Sequence, residues 1–224
     1  MKPLFLITSA LNPSYGVFSL RERLEQTQGT IKSIREHAPE ADVFLVDVSV
    51  NKLPDEIKAQ ILPTVNYYMD LSDNETMKQL SLGQAKSQSE AYMTLCFLDT
   101  LKVNNLVEKY DRIFKITGRM ELYEGFDISS YDNLKGKYVF QKRVATWMST
   151  PYKECTHLYN TRLYSFCSSL LDTHIQTLSG IFEYLNYVDL EHAMFARVPP
   201  ELVVEFDKVY SKGPEASTGK WNYD

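Results

Sequence analysis

Residues 3 to 9 of this chain form an unbroken apolar run, the pattern of a parallel strand buried on both faces. After a loop from Ser9 to Phe18, Ser19-Leu20-Arg21-Glu22 reads as a capping box that opens a helix. Leu20, Leu24, Thr27, Ile31 and Ile34 recur at three- and four-residue steps, so one face of a helix over residues 20 to 37 is expected to be buried, and Pro39 closes it. Asp42 to Asp47 is a second apolar strand ending in an acid. Strand, helix and strand together imply a right-handed parallel crossover. A short helix is expected over Asn51 to Gln60, a third strand over Val65 to Met69, and a polar stretch over residues 70 to 84. A long helix starts near Ser87 or Ser89 and runs to about Glu108, with Tyr92, Leu95, Cys96, Leu98 and Leu101 as its apolar positions. Tyr110 to Arg119 then reads as a buried strand ending in a Gly-Arg turn.

The second half changes character. Lys137 to Gln141 and Thr161 to Phe166 read as strands, followed by a helix near 168 to 185. Another helix begins at Asp189 to Phe195 and stops before Pro199-Pro200, and Leu202 to Phe206 is a last short strand. The polar ending from Gly213 to Asp224 is either loose or folded over a site. No internal repeat or clear linker appears. The class is α/β, with a mixed central sheet that is mostly parallel in the N-terminal half and flanked by helices. A length of 224 residues suits one domain. Within it, residues 1–120 form one half and 121–224 the other.

Composition narrows the function classes. Hydrophobic content of 44% with 24% charged residues is that of an ordinary globular protein, and a net charge of -5 disfavours a general trap for nucleic acid. Cys96, Cys155 and Cys167 lack metal-ligand spacing, which points to reduced thiols and a cytoplasmic setting. The N-terminal apolar run is too short for a signal peptide or a membrane span. No Gly-x-Gly-x-x-Gly supports a dinucleotide site, and no Gly-x-Ser-x-Gly supports a hydrolase elbow. Gly213 to Lys220 imitates a phosphate loop. It has one residue too many between its glycines, and Trp221 stands where Ser or Thr is required. Cys155 and His157 are two residues, not a zinc site.

The strand end at Thr117-Gly118-Arg119 is the sharpest chemical signal. Gly118 permits a tight turn or a close approach, and Arg119 projects a permanent cation where open α/β sheets hold their ligands. An anion, phosphate first, is the expected partner; an Arg paired with a nearby acid would give the same pattern. Lys86, close to a helix start, suits phosphate as well, and equally suits a solvated helix turn. Arg21 and Arg23 sit in the first turn of their helix, where they oppose its dipole unless an anion compensates. Asp189, Glu191 and His192 are the candidate proton acceptors; Asp189 also fits a helix N-cap, and Glu191 is electrostatically favoured in the first turn regardless of function.

Four places then carry a family resemblance: Thr8-Ser9-Ala10 with Asn12-Pro13-Ser14-Tyr15; Val46-Asp47; Phe114 to Arg119; and Asp189-x-Glu191-His192. Together they resemble the nucleotide-sugar glycosyltransferases of the GT-A (Rossmann-like) fold, particularly small bacterial and phage-like members. The resemblance implies that Thr8, Ser9, Ala10 and Tyr15 line the base, and that Asp47 accepts from a ribose hydroxyl or a base N–H. It implies transfer of a hexosyl or pentosyl group from a nucleotide-diphosphate sugar to a hydroxyl acceptor such as a glycan. One departure is plain. Most metal-dependent members carry Asp-x-Asp at the fourth strand, and here Thr117-Gly118-Arg119-Met120-Glu121 stands in its place. Either Arg119, helped by Lys86 or Arg21, neutralises the diphosphate with no metal cofactor, which is the expectation, or Glu121 and another acid hold a divalent metal. Two further readings stay open: a non-catalytic nucleotide- or partner-binding domain, and a phage-type enzyme that adds sugar to modified nucleic-acid bases. A sugar nucleotidyltransferase is disfavoured, because the first loop has only Gly16 where that family needs a Gly-rich, Arg-containing loop.

Overall fold

The computed structural model describes residues 1–13, 16–82, 85–146 and 148–224. The N-terminal half contains β1 (Pro3–Ser9), α1 (Leu20–His37), β2 (Asp42–Asp47), α2 (Asp55–Ile61), β3 (Tyr67–Asp70), α3 (Glu75–Leu82), α4 (Lys86–Val103) and β4 (Arg112–Thr117). The remainder supplies β5 (Glu121–Leu122), β6 (Tyr138–Gln141), β7 (Val144–Ala145), β8 (His157–Leu158), β9 (Leu163–Cys167), α5 (Leu171–Gly180), α6 (Leu190–Arg197), β10 (Val203–Phe206), β11 (Ser211–Pro214) and β12 (Trp221–Tyr223). Strands from both halves share one seven-stranded sheet in the order β10-β6-β9-β4-β1-β2-β3. The four N-terminal strands pair in parallel, with Ile7 between Leu45 and Ile116. β9 runs antiparallel to both β4 and β6, and β10 pairs parallel to β6.

Alternation along the strands divides the apolar residues between two cores. Phe5, Ile7, Leu45, Phe114 and Ile116 meet Leu24, Ile31 and Ile34 of α1, with the Phe5 and Phe114 rings stacked at 4.6 Å. Leu4, Leu6, Phe44 and Ile113 face the other way, against Phe97, Leu98 and Leu101 of α4 and the helices α5 and α6. The chain steps outward from β1 to β3 with α1 and α2 on one face, then returns through α4 on the opposite face to reach β4 on the other side of β1. Right-handed crossovers require that change of face when the direction reverses. The reversal leaves a crevice between the carboxyl ends of β1 and β4, the usual place for a ligand in such sheets.

Several boundaries differ from the sequence reading. The polar stretch at 70–84 contains a helix, α3, whose first turn is capped by the Asn74 side chain accepting from Met77 N–H at 2.9 Å. α2 begins at Asp55 rather than Asn51, with Pro54 as its N-cap residue and residues 51–54 outside any helix ahead of it. α4 stops at Val103 rather than near Glu108. Asn105 adopts φ 51°, Leu106 N–H bonds the Leu101 carbonyl at 2.9 Å, and Asn105 N–H bonds Lys102 at 3.1 Å, a Schellman ending. The capping box at Ser19 and Glu22 is formed as expected. The C-terminal stretch folds back as the hairpin β11–β12, which pairs with β5 in a second sheet.

Candidate active site

The crevice holds an open cleft of about 900 Å³, counting the space at its mouth. Its floor is Thr8 to Ala10 at the end of β1 and Thr117 to Arg119 at the end of β4. Gly118 donates its N–H to the Thr8 carbonyl at 2.8 Å, and a Cβ there would lie 3.0 Å from Ser9 Cβ, so a glycine lets the turn press against β1. Thr27 of α1 donates to the Gly118 carbonyl at 2.9 Å and locks the turn from beneath. Arg23 and Gly16 line one wall, while Lys86, Ser89 and Glu90 of α4 line the other. Ala216, in the loop of the folded-back hairpin, closes the top.

Three cations therefore meet in one cleft: Arg23, Lys86 and Arg119. Arg119 spends its Nε–H on the Pro214 carbonyl at 2.9 Å. Burial lowers its pKa and Arg162 pushes the same way, while Glu90, Glu191 and Glu215 oppose them. A guanidinium starts from so high a value that it stays charged, with further N–H groups on its two terminal nitrogens. Arg23 stacks its guanidinium 5.2 Å from the Phe18 ring centroid. The Thr8 and Ser89 side-chain oxygens are buried, line the same cleft, and have no hydrogen-bond partner among the described residues. Buried hydroxyls of that kind mark a place where a ligand or water completes the bonding.

Beneath the cleft lies a charged cluster that the sequence reading did not assemble. Lys115, in the middle of β4 and 1% exposed, bonds Glu90, the Thr117 hydroxyl at 3.1 Å and the Thr161 carbonyl at 2.8 Å. The Thr161 hydroxyl donates to Glu191 at 2.9 Å. Burial, then Glu90 and Asp189, raise the pKa of Glu191. A lysine among Ile113, Phe114 and Ile116 was the available signal, since a charge on a buried strand face requires partners on the covering helix.

The other residues singled out from sequence fall as follows. Thr8, Ser9, Ala10, Lys86, Gly118 and Arg119 share the cleft. Arg21 does not line it: its side chain is 88% exposed and pairs with Glu25 at 3.2 Å, and Arg23, two residues on, turns inward instead. Asp47 is fully buried behind the cleft and accepts from Leu11 N–H at 2.9 Å and Ser49 N–H at 3.3 Å, so it shapes the loops after β1 and β2. Burial pushes its pKa up to about 6, against the pull of those bonds. Of the three proton-acceptor candidates, only Glu191 faces the cluster. Asp189 caps α6 and holds His192 Nδ1 at 2.5 Å, and His192 Nε2 meets the Thr146 hydroxyl at 2.6 Å, a chain that ties α6 to the segment after β7. Tyr15 lies outside the described residues. Trp221 is half exposed and does not line the cleft, which Ala216 of the hairpin loop does.

At the end of β4, Gly118 offers no side chain and Arg119 brings a positive charge, while Glu90, the carboxylate that lines the cleft, is paired with Lys115 through Oε1. Glu121 sits on β5 over Gly29, in a separate surface groove with Glu36 and Lys212. Among the described residues no group of three or more His, Cys, Asp or Glu side chains is arranged for a metal.

No protein-family model matches the chain, and no curated protein sequence does. Among solved structures, mouse xyloside xylosyltransferase 1 in its apo form aligns with a TM-score of 0.51 at 11% identity, over 92% of this chain and 84% of that one. A glycosyltransferase involved in glycosylation of the major capsid of PBCV-1 aligns at 0.49 and 11% identity, over 92% and 82%. Core-mannan synthase A from Aspergillus fumigatus, in a Mn/GDP form, aligns at 0.47 and 8% identity, over 89% and 67%. The likeness to the xylosyltransferase bears on architecture: the chain has a GT-A-like fold.

Proposed function

We propose that the protein is a glycosyltransferase that moves a hexosyl or pentosyl group from a nucleotide-diphosphate sugar to a hydroxyl acceptor, a glycan or a related compound. The observation that carries this reading is the convergence of Arg23, Lys86 and Arg119 at the β1–β4 switch point, beside two buried hydroxyls that lack partners among the described residues. Preorganised cations are what a leaving diphosphate needs, because they stabilise charge that grows as the glycosidic bond breaks. Arg119 grips phosphate oxygens with its terminal N–H groups, and Lys86 adds a point charge from the other wall. Thr8 to Ala10 line the nucleoside side. Glu191, held by the Thr161 hydroxyl in the cluster beneath the cleft, is the candidate proton acceptor for the incoming hydroxyl. Charge neutralisation by side chains, without a resident metal, is part of this proposal.

A thermal-shift screen tests it, using UDP, GDP, CDP, ADP and dTDP with their sugar conjugates, each with EDTA or with magnesium or manganese. A ligand that binds the folded state raises the melting temperature. A shift that survives EDTA supports the reading as stated; a shift that requires the metal rejects the metal-free part; no shift with any nucleotide rejects the function. Arg119→Lys keeps the charge and loses the fork, so it is expected to weaken diphosphate binding roughly tenfold or more.

A further inference from the structure

The cleft that gathers three cations also carries a carboxylate. Glu90 lies one turn beyond Lys86 on α4, lines the cleft wall, and is 29% exposed. A negative charge facing an anion site weakens that site unless the ligand makes use of it. Lys115, paired with it, offsets that charge but does not itself reach the ligand. Its three N–H groups go to Glu90 Oε1, to Thr117 and to the Thr161 carbonyl, so it has no donor left to offer. Lys115 works as a pedestal that fixes Oε1 from below and leaves Oε2, unengaged among the described residues, at the cleft. Glu191 is held on the far side through Thr161.

An ionised carboxylate oxygen only accepts, so its complement is an O–H or N–H of the ligand. Phosphate oxygens have none to give. The same wall carries the Ser89 hydroxyl, buried and without a partner among the described residues, and the floor carries that of Thr8. A ligand that presents anionic oxygens to the cations and hydroxyl groups to Glu90 matches the lining of this cleft. We propose that Glu90, held by Lys115, binds a hydroxyl of the donor sugar and is the residue that selects which sugar the cleft accepts. This rests on the nucleotide-sugar reading above and adds the sugar contact to it.

The test is calorimetric titration of wild type and Glu90→Gln with the nucleoside diphosphate that gives the largest thermal shift, and with its sugar conjugate. Glu90→Gln is expected to weaken the sugar conjugate by roughly 10- to 100-fold while the bare diphosphate binds as well or better. Equal weakening of both ligands, or no change in either, overturns the proposal while leaving the nucleotide reading intact. Failure of wild type to bind any diphosphate or conjugate overturns both. Conjugates carrying singly deoxygenated sugars give a second readout that needs no variant. One of them is expected to lose the same factor on wild type, and full affinity for every deoxy-sugar conjugate overturns the assignment.

Discussion

Lys115 and Asp47 are ionisable groups shut away from water, and they meet the cost of burial in opposite ways. Lys115 saturates its donors on the Glu90 carboxylate, the Thr117 hydroxyl and the Thr161 carbonyl. Asp47 is held by the Leu11 and Ser49 N–H groups and the Ser49 side chain, with no ion pair among the described residues, and burial carries its pKa from 3.8 to about 6. In the unfolded chain it titrates near its ordinary value, so between about pH 4 and pH 6 the folded state holds more of its proton. Its contribution is therefore fully favourable below about pH 4 and is lost as pH rises through 6. Relative to Asp47→Asn, wild type is expected to gain on the order of 2–3 kcal/mol on going from pH 7 to pH 4. Urea unfolding at each pH checks this, and a difference that does not change with pH contradicts the raised value. At this scale the sequence was partly legible. Arg119, Lys86 and Thr8 to Ala10 stand at strand or helix ends, where position alone suggests a ligand. Arg21 and Arg23 are separated only by helix phase: Arg23 shares a face with Thr27 and Ile31, and Arg21 looks outward.

Elements with long apolar runs or complete capping chemistry, such as β1, β2, β4 and α1, follow from local pattern, because their burial is written in their own residues. Elements that depend on distant partners do not. β5, β7 and β8 are two residues each and exist only through pairings such as Ser211 with Leu122 or Val144 with Leu158. α3 was hidden because Asp73, Asn74 and Glu75 look like a polar loop, although Asn74 before Glu75 is also a helix start. The end of α4 was missed for lack of a glycine; Asn105 takes the left-handed turn in its place. That substitution of roles is testable. Asn105→Ala is expected to cost about 1 kcal/mol, and Asn105→Gly to cost nothing or to stabilise by a few tenths. For a chain of this size about 1 kcal/mol corresponds to a fall in Tm of roughly 2–4 °C, which differential scanning calorimetry resolves. Equal melting temperatures for the Ala and Gly variants would show that the turn carries no strain.

Over the whole molecule, a net charge of -5 surrounds a cleft with three cations. A local cluster of cations within a net negative molecule is the pattern that focuses anions toward a cleft. Among the described residues no helix is long and apolar enough to cross a membrane. The cleft is assembled from three sources with different mechanical standing. Its floor is two hydrogen-bonded neighbours at the centre of the sheet, and its walls belong to helices packed on opposite faces. Its roof is the C-terminal hairpin, held by Pro214 on Arg119 and by Arg162 on Asp224 at 3.1 Å and Glu215 at 3.9 Å. Ligand binding is expected to slow amide hydrogen exchange from Glu215 to Lys220 and to leave the amides in the middle of β1 and β4 unchanged; unchanged exchange from Glu215 to Lys220 would show that the hairpin does not cover the ligand.

The hairpin differs from floor and walls in how it is tied to the rest of the chain. Floor and walls are continuous with the two apolar cores, whereas the cover is a two-stranded ribbon joined through β5, Arg119 and Arg162. Under the function proposed above, entry and exit of the ligand depend on those few edge contacts rather than on either core.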